Sequence, residues 1–144
     1  AAHHQGWVAE TLAVVPDEIE AIRSILTQWA DSLVFDLILT TGGTGFAPRD
    51  VTPEATLGIL DKQAPGIAEA LRMHSLKITP HAMLSRAVAG IRGATLIINF
   101  PGSPKACAES FELLAPVLPH AIELLRESPA AETGHAAASP QEPL

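Results

Sequence analysis

A glycine-rich loop followed by a charged pair is the part of the sequence best suited to chemistry. Residues 40–56 read Thr-Thr-Gly-Gly-Thr-Gly-Phe-Ala-Pro-Arg-Asp-Val-Thr-Pro-Glu-Ala-Thr, directly after an apolar stretch. Glycine lets backbone N–H groups approach a ligand closely, and Thr52-Pro53 predicts a helix start, whose N-terminus attracts anions. This pattern predicts a site for an anionic, phosphorylated ligand. The residues expected to cradle the phosphate are Gly42, Gly43, Thr44 and Gly45.

Two familiar phosphate-binding motifs do not fit this loop. No Gly-Lys-Ser/Thr follows it, as a Walker A loop requires, and the glycines lack the GxGxxG spacing of a dinucleotide site. For Gly-Gly-Thr-Gly alone, a plain turn is the alternative interpretation. The continuation Pro-Arg-Asp-Val-Thr-Pro favours a functional loop.

Two aspartates are placed to share a metal ion with a phosphate. Asp17 follows a predicted strand over residues 11–15, and Asp50 follows the loop behind a predicted strand over residues 36–41. If these strands are parallel neighbours, both carboxylates lie at one edge, where Mg²⁺ commonly takes one or two carboxylates beside phosphate oxygens. Two alternatives stay open: Asp17 as a first-turn helix acid, and Asp50 as an ion-pair partner of Arg49.

A second polar loop follows a predicted strand over residues 95–100. Asn99, Pro101 and Gly102 lead into a helix that begins near Ser103. Backbone and side-chain donors at a helix N-terminus suit the phosphates or ribose of a nucleotide. We therefore expect this loop to complement the glycine loop.

Strands and helices alternate along the chain, which predicts an α/β fold. Strands are predicted at residues 11–15, 36–41, 87–91 and 95–100, helices at 16–29, 53–60, 65–76, 103–115 and 119–127, and a helical turn at 79–80. The expected architecture is three-layer, with a mostly parallel sheet, helices on both faces, and one antiparallel hairpin formed by the last two strands. Ligands in such folds bind at the carboxyl ends of the strands.

Composition narrows the class of protein. A length of 144 residues indicates one domain, predicted over residues 1–127, and the Pro/Ala/Ser/Glu-rich residues 128–144 are predicted to be a disordered tail. The net charge of −7 argues against nucleic-acid or anionic-membrane partners. No apolar run approaches the roughly 20 residues of a membrane-spanning helix. The single cysteine, Cys107, cannot form an internal disulfide, which fits a reducing, cytoplasmic location, and it is interpreted as a small buried side chain.

The loop and several further motifs resemble the molybdopterin adenylyltransferase family, which includes the G domain of gephyrin. Beside residues 40–56, the motifs are VPDE (15–18), APG (64–66), SLKITP (75–80), MLSR (83–86), GIRG (90–93), TLIINFPG (95–102) and PHAI (119–122). They occur in the family's order and cover residues 11–127. The resemblance implies the fold of molybdenum-cofactor biosynthesis proteins.

The resemblance also implies an activity. The terminal phosphate of molybdopterin attacks the α-phosphate of ATP with Mg²⁺ assistance, giving adenylyl-molybdopterin and pyrophosphate. Asp17 and Asp50 match the acidic active-site positions, for catalysis and metal, and Ser75 and Ser85 match serines near the pterin pocket. A homotrimer and a molybdotransferase partner domain are implied as well.

Two other functions are weighed against the enzyme. A gephyrin-like scaffold would use trimerisation without turnover, and a molybdate-insertion domain shares the fold but typically lacks the Phe-Ala-Pro-Arg-Asp continuation. One departure from the family is expected to matter. Family members carry a strand, a Ser-Asp motif and a helix ahead of the segment matching residues 11–15, where this chain has ten residues. Lacking that motif, this chain is expected to bind and turn over ligand weakly.

Overall fold

The computed structural model describes residues 6–127, which form a sheet with helices on both sides. The strands are β1 (Leu37–Thr41), β2 (Lys62–Gln63), β3 (Ala89–Arg92) and β4 (Thr95–Phe100). The helices are α1 (Ile19–Asp31), α2 (Thr52–Leu57), α3 (Pro65–Leu76), α4 (Pro104–Leu114) and α5 (Leu118–Leu125), with a 3₁₀ helix over Pro80–Leu84. The predicted tail, residues 128–144, lies outside the described residues.

The sheet has the strand order β1-β4-β3-β2. Strand β1 runs parallel to β4, with Leu37 opposite Leu96 and Thr41 opposite Phe100. The β3–β4 pair is the predicted antiparallel hairpin, and β2 pairs antiparallel with β3. The α/β class is confirmed, and the sheet is mixed, with one parallel and two antiparallel pairings among residues 6–127. It is less parallel than predicted because residues 11–15 form no strand and β2 joins the far edge.

Strand β4 carries the core on both of its faces. All six of its residues are buried, as expected for a central strand covered by helices on both sides. Ile97 belongs to the cluster formed with α1 and α2. Leu96, Ile98 and Phe100 belong to the opposite cluster, with Leu71 of α3, Leu114 of α4 and Leu118 of α5. The predicted three-layer arrangement is thereby confirmed.

The strand predicted over residues 11–15 is wrong. The segment has no regular structure, and Leu12 and Val14 are 89% and 97% exposed. Val15 alone of the five packs, partly buried, against the cluster on the α1 side. Apolar alternation satisfies a strand locally, but a strand also needs a hydrogen-bonded partner, and β1 pairs with β4 alone among the described strands.

The helices agree with the sequence pattern to within a few residues. Helix α2 ends at Leu57, before the predicted residue 60, and the N–H of Gly58 closes its last turn on Glu54. In the part of the chain that the structure describes, no helix combines the length and apolarity that a bilayer crossing demands.

Candidate functional site

The glycine loop leaves β1 in a conformation that suits glycine. Gly42 and Gly43 have φ values of +87° and +68°, where an L side chain is strained. The N–H of Gly42 donates to Phe100 O at 3.2 Å, and the N–H of Thr52 donates to Gly43 O at 3.1 Å. A Cβ atom on Gly43 would overlap Oγ1 of Thr52. The loop is therefore clamped between the end of β4 and the start of α2.

The loop after β4 lies directly against the glycine loop. A Cβ atom on Gly102 would stand 3.4 Å from Cα of Gly42. Oγ1 of Thr41 donates to Pro101 O at 3.0 Å, and Sγ of Cys107 donates to the same carbonyl at 2.8 Å. Because β1 and β4 are parallel, their following loops share one edge, as predicted. Cys107 is half-buried on α4 and holds this second loop.

The Asp50 carboxylate is fixed by its own loop. Its Oδ2 accepts the N–H of Ala47 at 3.0 Å, and its N–H donates to Ala47 O at 2.8 Å. These two bonds close a turn over residues 47–50. Asp50 thus lies within the loop between β1 and α2, and the turn sets the direction of its carboxylate.

Asp17 reaches the glycine loop through an ion pair, although it does not follow a strand. Its Oδ2 lies 3.3 Å from Nε of Arg49, and both side chains are exposed. The predicted placement of both aspartates at the ends of neighbouring parallel strands is wrong, because no strand precedes Asp17 in the described part of the chain. Arg49 pairs with Asp17, not with Asp50 as the alternative interpretation had it.

The carboxylates of Asp17 and Asp50 suit a hard cation that takes most of its ligands from water and substrate. Among residues 6–127, no group of three or more His, Cys, Asp or Glu side chains is close enough to enclose a metal ion. Mg²⁺ commonly takes only one or two carboxylates and completes its shell with water and phosphate oxygens. Asp17 and Asp50 are thus compatible with Mg²⁺ but not with a closed protein cage.

Two clefts meet the glycine loop from opposite sides. The first, about 390 Å³, runs between α1, β1 and the extended residues before α1, and includes Asp17, Gly42 and Gly43. The second, about 300 Å³, is lined by α3 and the 3₁₀ region, and includes Thr44 and Gly45. Asp50 and Gly102 line neither cleft. The other candidate residues divide between them, with Asp17, Gly42 and Gly43 in the first and Thr44, Gly45, Ser75, Ser85, Asn99 and Pro101 in the second.

Both predicted serines lie in the second cleft. Ser75 is on α3, and Ser85 follows the 3₁₀ helix. Nη1 of Arg72 donates to Ala87 O at 2.8 Å and to Ser85 O at 3.4 Å, which ties this wall to α3. The structure thus brings Ser75, Ser85, Thr44 and Gly45 to one cavity, and contact of the two serines with a pterin stays a prediction.

Asn99 stands behind the loops and is fully buried. Its Nδ2 donates to Thr40 Oγ1 at 2.9 Å and to Thr56 Oγ1 at 3.0 Å, and its Oδ1 accepts the N–H of Val88 at 3.2 Å. Both amide hydrogens and the amide oxygen are therefore engaged inside the protein. A direct contact between Asn99 and a nucleotide stays a prediction, and the geometry gives the residue a supporting part.

Arg86, which is not among the predicted site residues, contacts the glycine loop and Asp50 at several points. Its Nε donates to Gly45 O at 2.8 Å, its Nη2 donates to Asp50 O at 2.5 Å, and its Nη1 pairs with the Glu54 carboxylate. That last hydrogen bond lowers the pKa of the Glu54 carboxyl below its usual value. The available signal in the sequence was the MLSR motif, in which Arg86 directly follows the predicted Ser85.

Comparison with known proteins identifies the family. Residues 1–120 match the model of the probable molybdopterin binding domain. The chain belongs to this family.

The chain is similar to three proteins of this kind, one of them known from a crystal structure. Gephyrin of Dictyostelium discoideum is 57% identical over 116 residues, which are 81% of this chain and 16% of that protein. Molybdopterin adenylyltransferase of Helicobacter pylori is 47% identical over 112 residues, 78% of this chain and 64% of that protein. The crystal structure of the molybdopterin biosynthesis enzyme MoaB from Thermus thermophilus superimposes with a TM-score of 0.73 at 57% identity, over 79% of this chain and 72% of that one. The chain spans less than two thirds of the length of the first two of these relatives.

Proposed function

We propose that this domain acts in molybdenum cofactor biosynthesis by transferring the adenylyl group of ATP to molybdopterin. The observation that carries the proposal is the clamped glycine loop, Gly42 to Gly45, set between two clefts, with Asp17 paired to Arg49 in the segment that follows it. Family membership and the likeness to a relative named molybdopterin adenylyltransferase support it.

The proposed reaction needs orientation and charge stabilisation more than covalent help from the protein. The terminal phosphate oxygen of molybdopterin attacks the α-phosphorus of ATP, a new P–O bond forms, and the bond to the β-phosphate breaks to release pyrophosphate. Backbone N–H groups of the glycine loop orient the phosphates, which is the main task of a protein in such transfers. Asp17 and Asp50 would hold Mg²⁺, which when bound neutralises phosphate charge.

The second cleft and the loop after β4 allow the substrates to be placed. We assign the pterin to the cleft of Ser75 and Ser85, following the family resemblance, and the nucleotide phosphates to the loop of Pro101 and Gly102, with Asn99 supporting it from behind. In that arrangement the glycine loop faces both substrates. The two loops are in van der Waals contact, so both phosphates reach one edge of the sheet.

Assembly, partners and location belong to the proposal as well. We propose a homotrimer in the cytoplasm whose product passes to a molybdotransferase partner domain. Several large apolar side chains are exposed, among them Leu33 (77%), Val34 (63%) and Phe46 (67%), which is surface that an assembly can cover. The likeness to gephyrin favours a second candidate function, a trimeric scaffold without turnover.

A single-turnover assay separates the two functions. The purified 144-residue chain is incubated with molybdopterin, ATP and Mg²⁺, and adenylyl-molybdopterin and pyrophosphate are quantified together. The enzyme assignment requires equal amounts of both products, and their loss when a chelator removes Mg²⁺. Molybdopterin binding without either product would refute turnover by this chain and favour the scaffold. Sedimentation equilibrium on the same sample reports the oligomeric state, where a monomer would contradict the trimer.

A further inference from the structure

Arg86 joins three parts of the site through one side chain. It stands between the 3₁₀ helix and β3, with 34% of its side chain exposed. Its backbone N–H donates to Thr44 O at 2.8 Å. Its guanidinium binds Gly45 O, Asp50 O and the Glu54 carboxylate through three different nitrogens. Backbone and side chain together therefore hold both ends of residues 44–50.

The segment between these attachment points has little packing of its own. Residues 46–49 are all exposed, and Phe46 is 67% exposed. The Asp50 carboxylate is oriented by Ala47, which lies inside the same segment. The hydrogen bonds within this turn preserve its shape, but they do not fix its position relative to the sheet. The contacts of Arg86 with Gly45 and Asp50 fix that position relative to the sheet.

We propose that Arg86 is a positioning residue for the adenylyl transfer, holding the Asp50 carboxylate in register with the glycine loop. The kinetic effect expected from this inference rests on the proposed function, while the structural effect does not depend on it. Arg86 acts through Gly45 and Asp50, because all three of its guanidinium nitrogens bind acceptors of the protein itself. Glu54, in the first turn of α2, orients the guanidinium from its other end.

The geometry requires arginine and not merely a positive charge. The guanidinium is a planar fork whose separate N–H groups reach several acceptors at once, while a lysine ammonium is a compact charge on a flexible stem. Nε and Nη2 bind the carbonyls of Gly45 and Asp50 while Nη1 binds a carboxylate. A lysine at position 86 keeps the charge but cannot contact all three acceptors at the same time.

Arg92 provides a matched control at the opposite edge of the sheet. Its Nη1 donates to Ile59 O at 2.9 Å, and its Nε and Nη2 bind the Asp31 carboxylate at 2.8 and 2.9 Å. It is thus an arginine that also ties a carbonyl and a carboxylate together. Its neighbours are remote from the glycine loop, since it ends β3 beside the start of β4.

The structural test compares Arg86→Lys with Arg92→Lys by amide hydrogen exchange and urea unfolding. The N–H of residue 86, bonded to Thr44 O, reports the attachment of residues 44–50 directly. We expect its exchange to accelerate about tenfold or more in Arg86→Lys at native conditions, with no change in Arg92→Lys, because local opening responds to local anchors. Unchanged exchange at position 86 in a folded Arg86→Lys protein would overturn the proposal, even if the domain proves to have no enzymatic activity.

The kinetic test uses the same pair of variants. Misplacing a catalytic group slows the chemical step, so Arg86→Lys should lower kcat by about tenfold to a hundredfold while KM for ATP changes less than about threefold. Arg92→Lys should retain kcat. Full activity in Arg86→Lys would show that charge suffices and would overturn the proposal. Glu54→Gln, which weakens one of the guanidinium's three attachments, should show the same pattern less strongly and serves if Arg86→Lys does not fold.

Discussion

The Asp50 carboxylate lies against Gly45, so closely that a Cβ atom at position 45 would stand 2.8 Å from Asp50 Oδ2. Real Cβ atoms are essentially never found so near an oxygen, and one of the two groups would have to move. The carboxylate is the movable one, but it is held by the N–H of Ala47. The absence of a side chain at Gly45 is therefore a condition for the observed position of Asp50.

Gly45→Ala should displace the Asp50 carboxylate and reduce adenylyl transfer. We expect about a tenfold to hundredfold loss in kcat, the scale of a misplaced catalytic group, with a cooperative unfolding transition retained. Gly66→Ala is the matched control, because position 66 lies in α3 with open space around its Cβ and alanine favours helix. Wild-type kcat in Gly45→Ala would show that Asp50 need not occupy its observed place.

Asp50→Asn tests the carboxylate itself. Asparagine keeps an oxygen that can accept the Ala47 N–H, but it removes the charge that would hold Mg²⁺. Adenylyl transfer should fall below detection, while the free energy of unfolding changes by less than about 1 kcal/mol, as for other surface-loop changes.

The control for this variant is Asp61→Asn. Oδ2 of Asp61 likewise accepts one backbone N–H, that of Gly93 at 2.7 Å, in the hairpin turn at the opposite edge of the sheet. It should keep full activity. Near-normal turnover by a folded Asp50→Asn protein would remove Asp50 from the site.

Local sequence patterns predict the loops and the helix start at the carboxyl edge of the sheet, but they do not predict the pairing of segments that are distant in the chain. Glycines, the Thr52-Pro53 helix start and the strand over residues 95–100 each carry their own signal, and the structure unites them. Strand β2 has only Lys62 and Gln63, both exposed, so no alternation of apolar and polar residues predicts it. Its existence depends on the facing edge of β3, which lies far along the chain.

Ion pairs between distant segments were equally hidden. Asp17 was expected to reach the site as the end of a strand, and it reaches it through Arg49 instead. Arg86 lies 32 residues from Glu54 and 41 from Gly45. Nothing in residue type or spacing pairs these groups, because charged side chains can pair with any opposite charge that the fold brings near. Such contacts follow from the fold and cannot be used to derive it.

Asn99→Ala should reduce stability more than it reduces substrate affinity. The change leaves the hydroxyls of buried Thr56 and partly buried Thr40 without their amide donor, and the partly buried N–H of Val88 without its side-chain acceptor. Leaving buried polar groups unpaired costs about 1–3 kcal/mol, measurable by urea unfolding.

Thr95→Val is the comparison for Asn99→Ala. Thr95 is equally buried on β4, but its side chain donates one hydrogen bond, to Phe35 O at 2.8 Å. We expect a smaller loss of about 1 kcal/mol from it. If Asn99→Ala instead raised KM for ATP strongly at unchanged stability, Asn99 would be a direct ligand contact and not a supporting residue.

The Glu54–Arg86 pair should make stability depend on pH in the acid range. Arg86 lowers the pKa of the Glu54 carboxyl from its usual 4.5 by donating a hydrogen bond to the carboxylate. A carboxyl whose pKa is lower in the folded than in the unfolded state stabilises the fold above its unfolded pKa, and this contribution disappears as the pH falls through the folded pKa. Wild type should therefore exceed Glu54→Gln in unfolding free energy near neutral pH, and the difference should vanish well below pH 4.5.

Urea unfolding of wild type and Glu54→Gln across the acid range measures the size of this difference and tests its origin. It should stay under about 1 kcal/mol, because the Glu54 side chain is half exposed and water screens the pair. The same substitution made in Arg86→Lys should show a smaller pH dependence, because the lysine replaces the guanidinium that lowers the pKa. A difference that stays constant with pH would show that the ionisation of Glu54 is not coupled to folding.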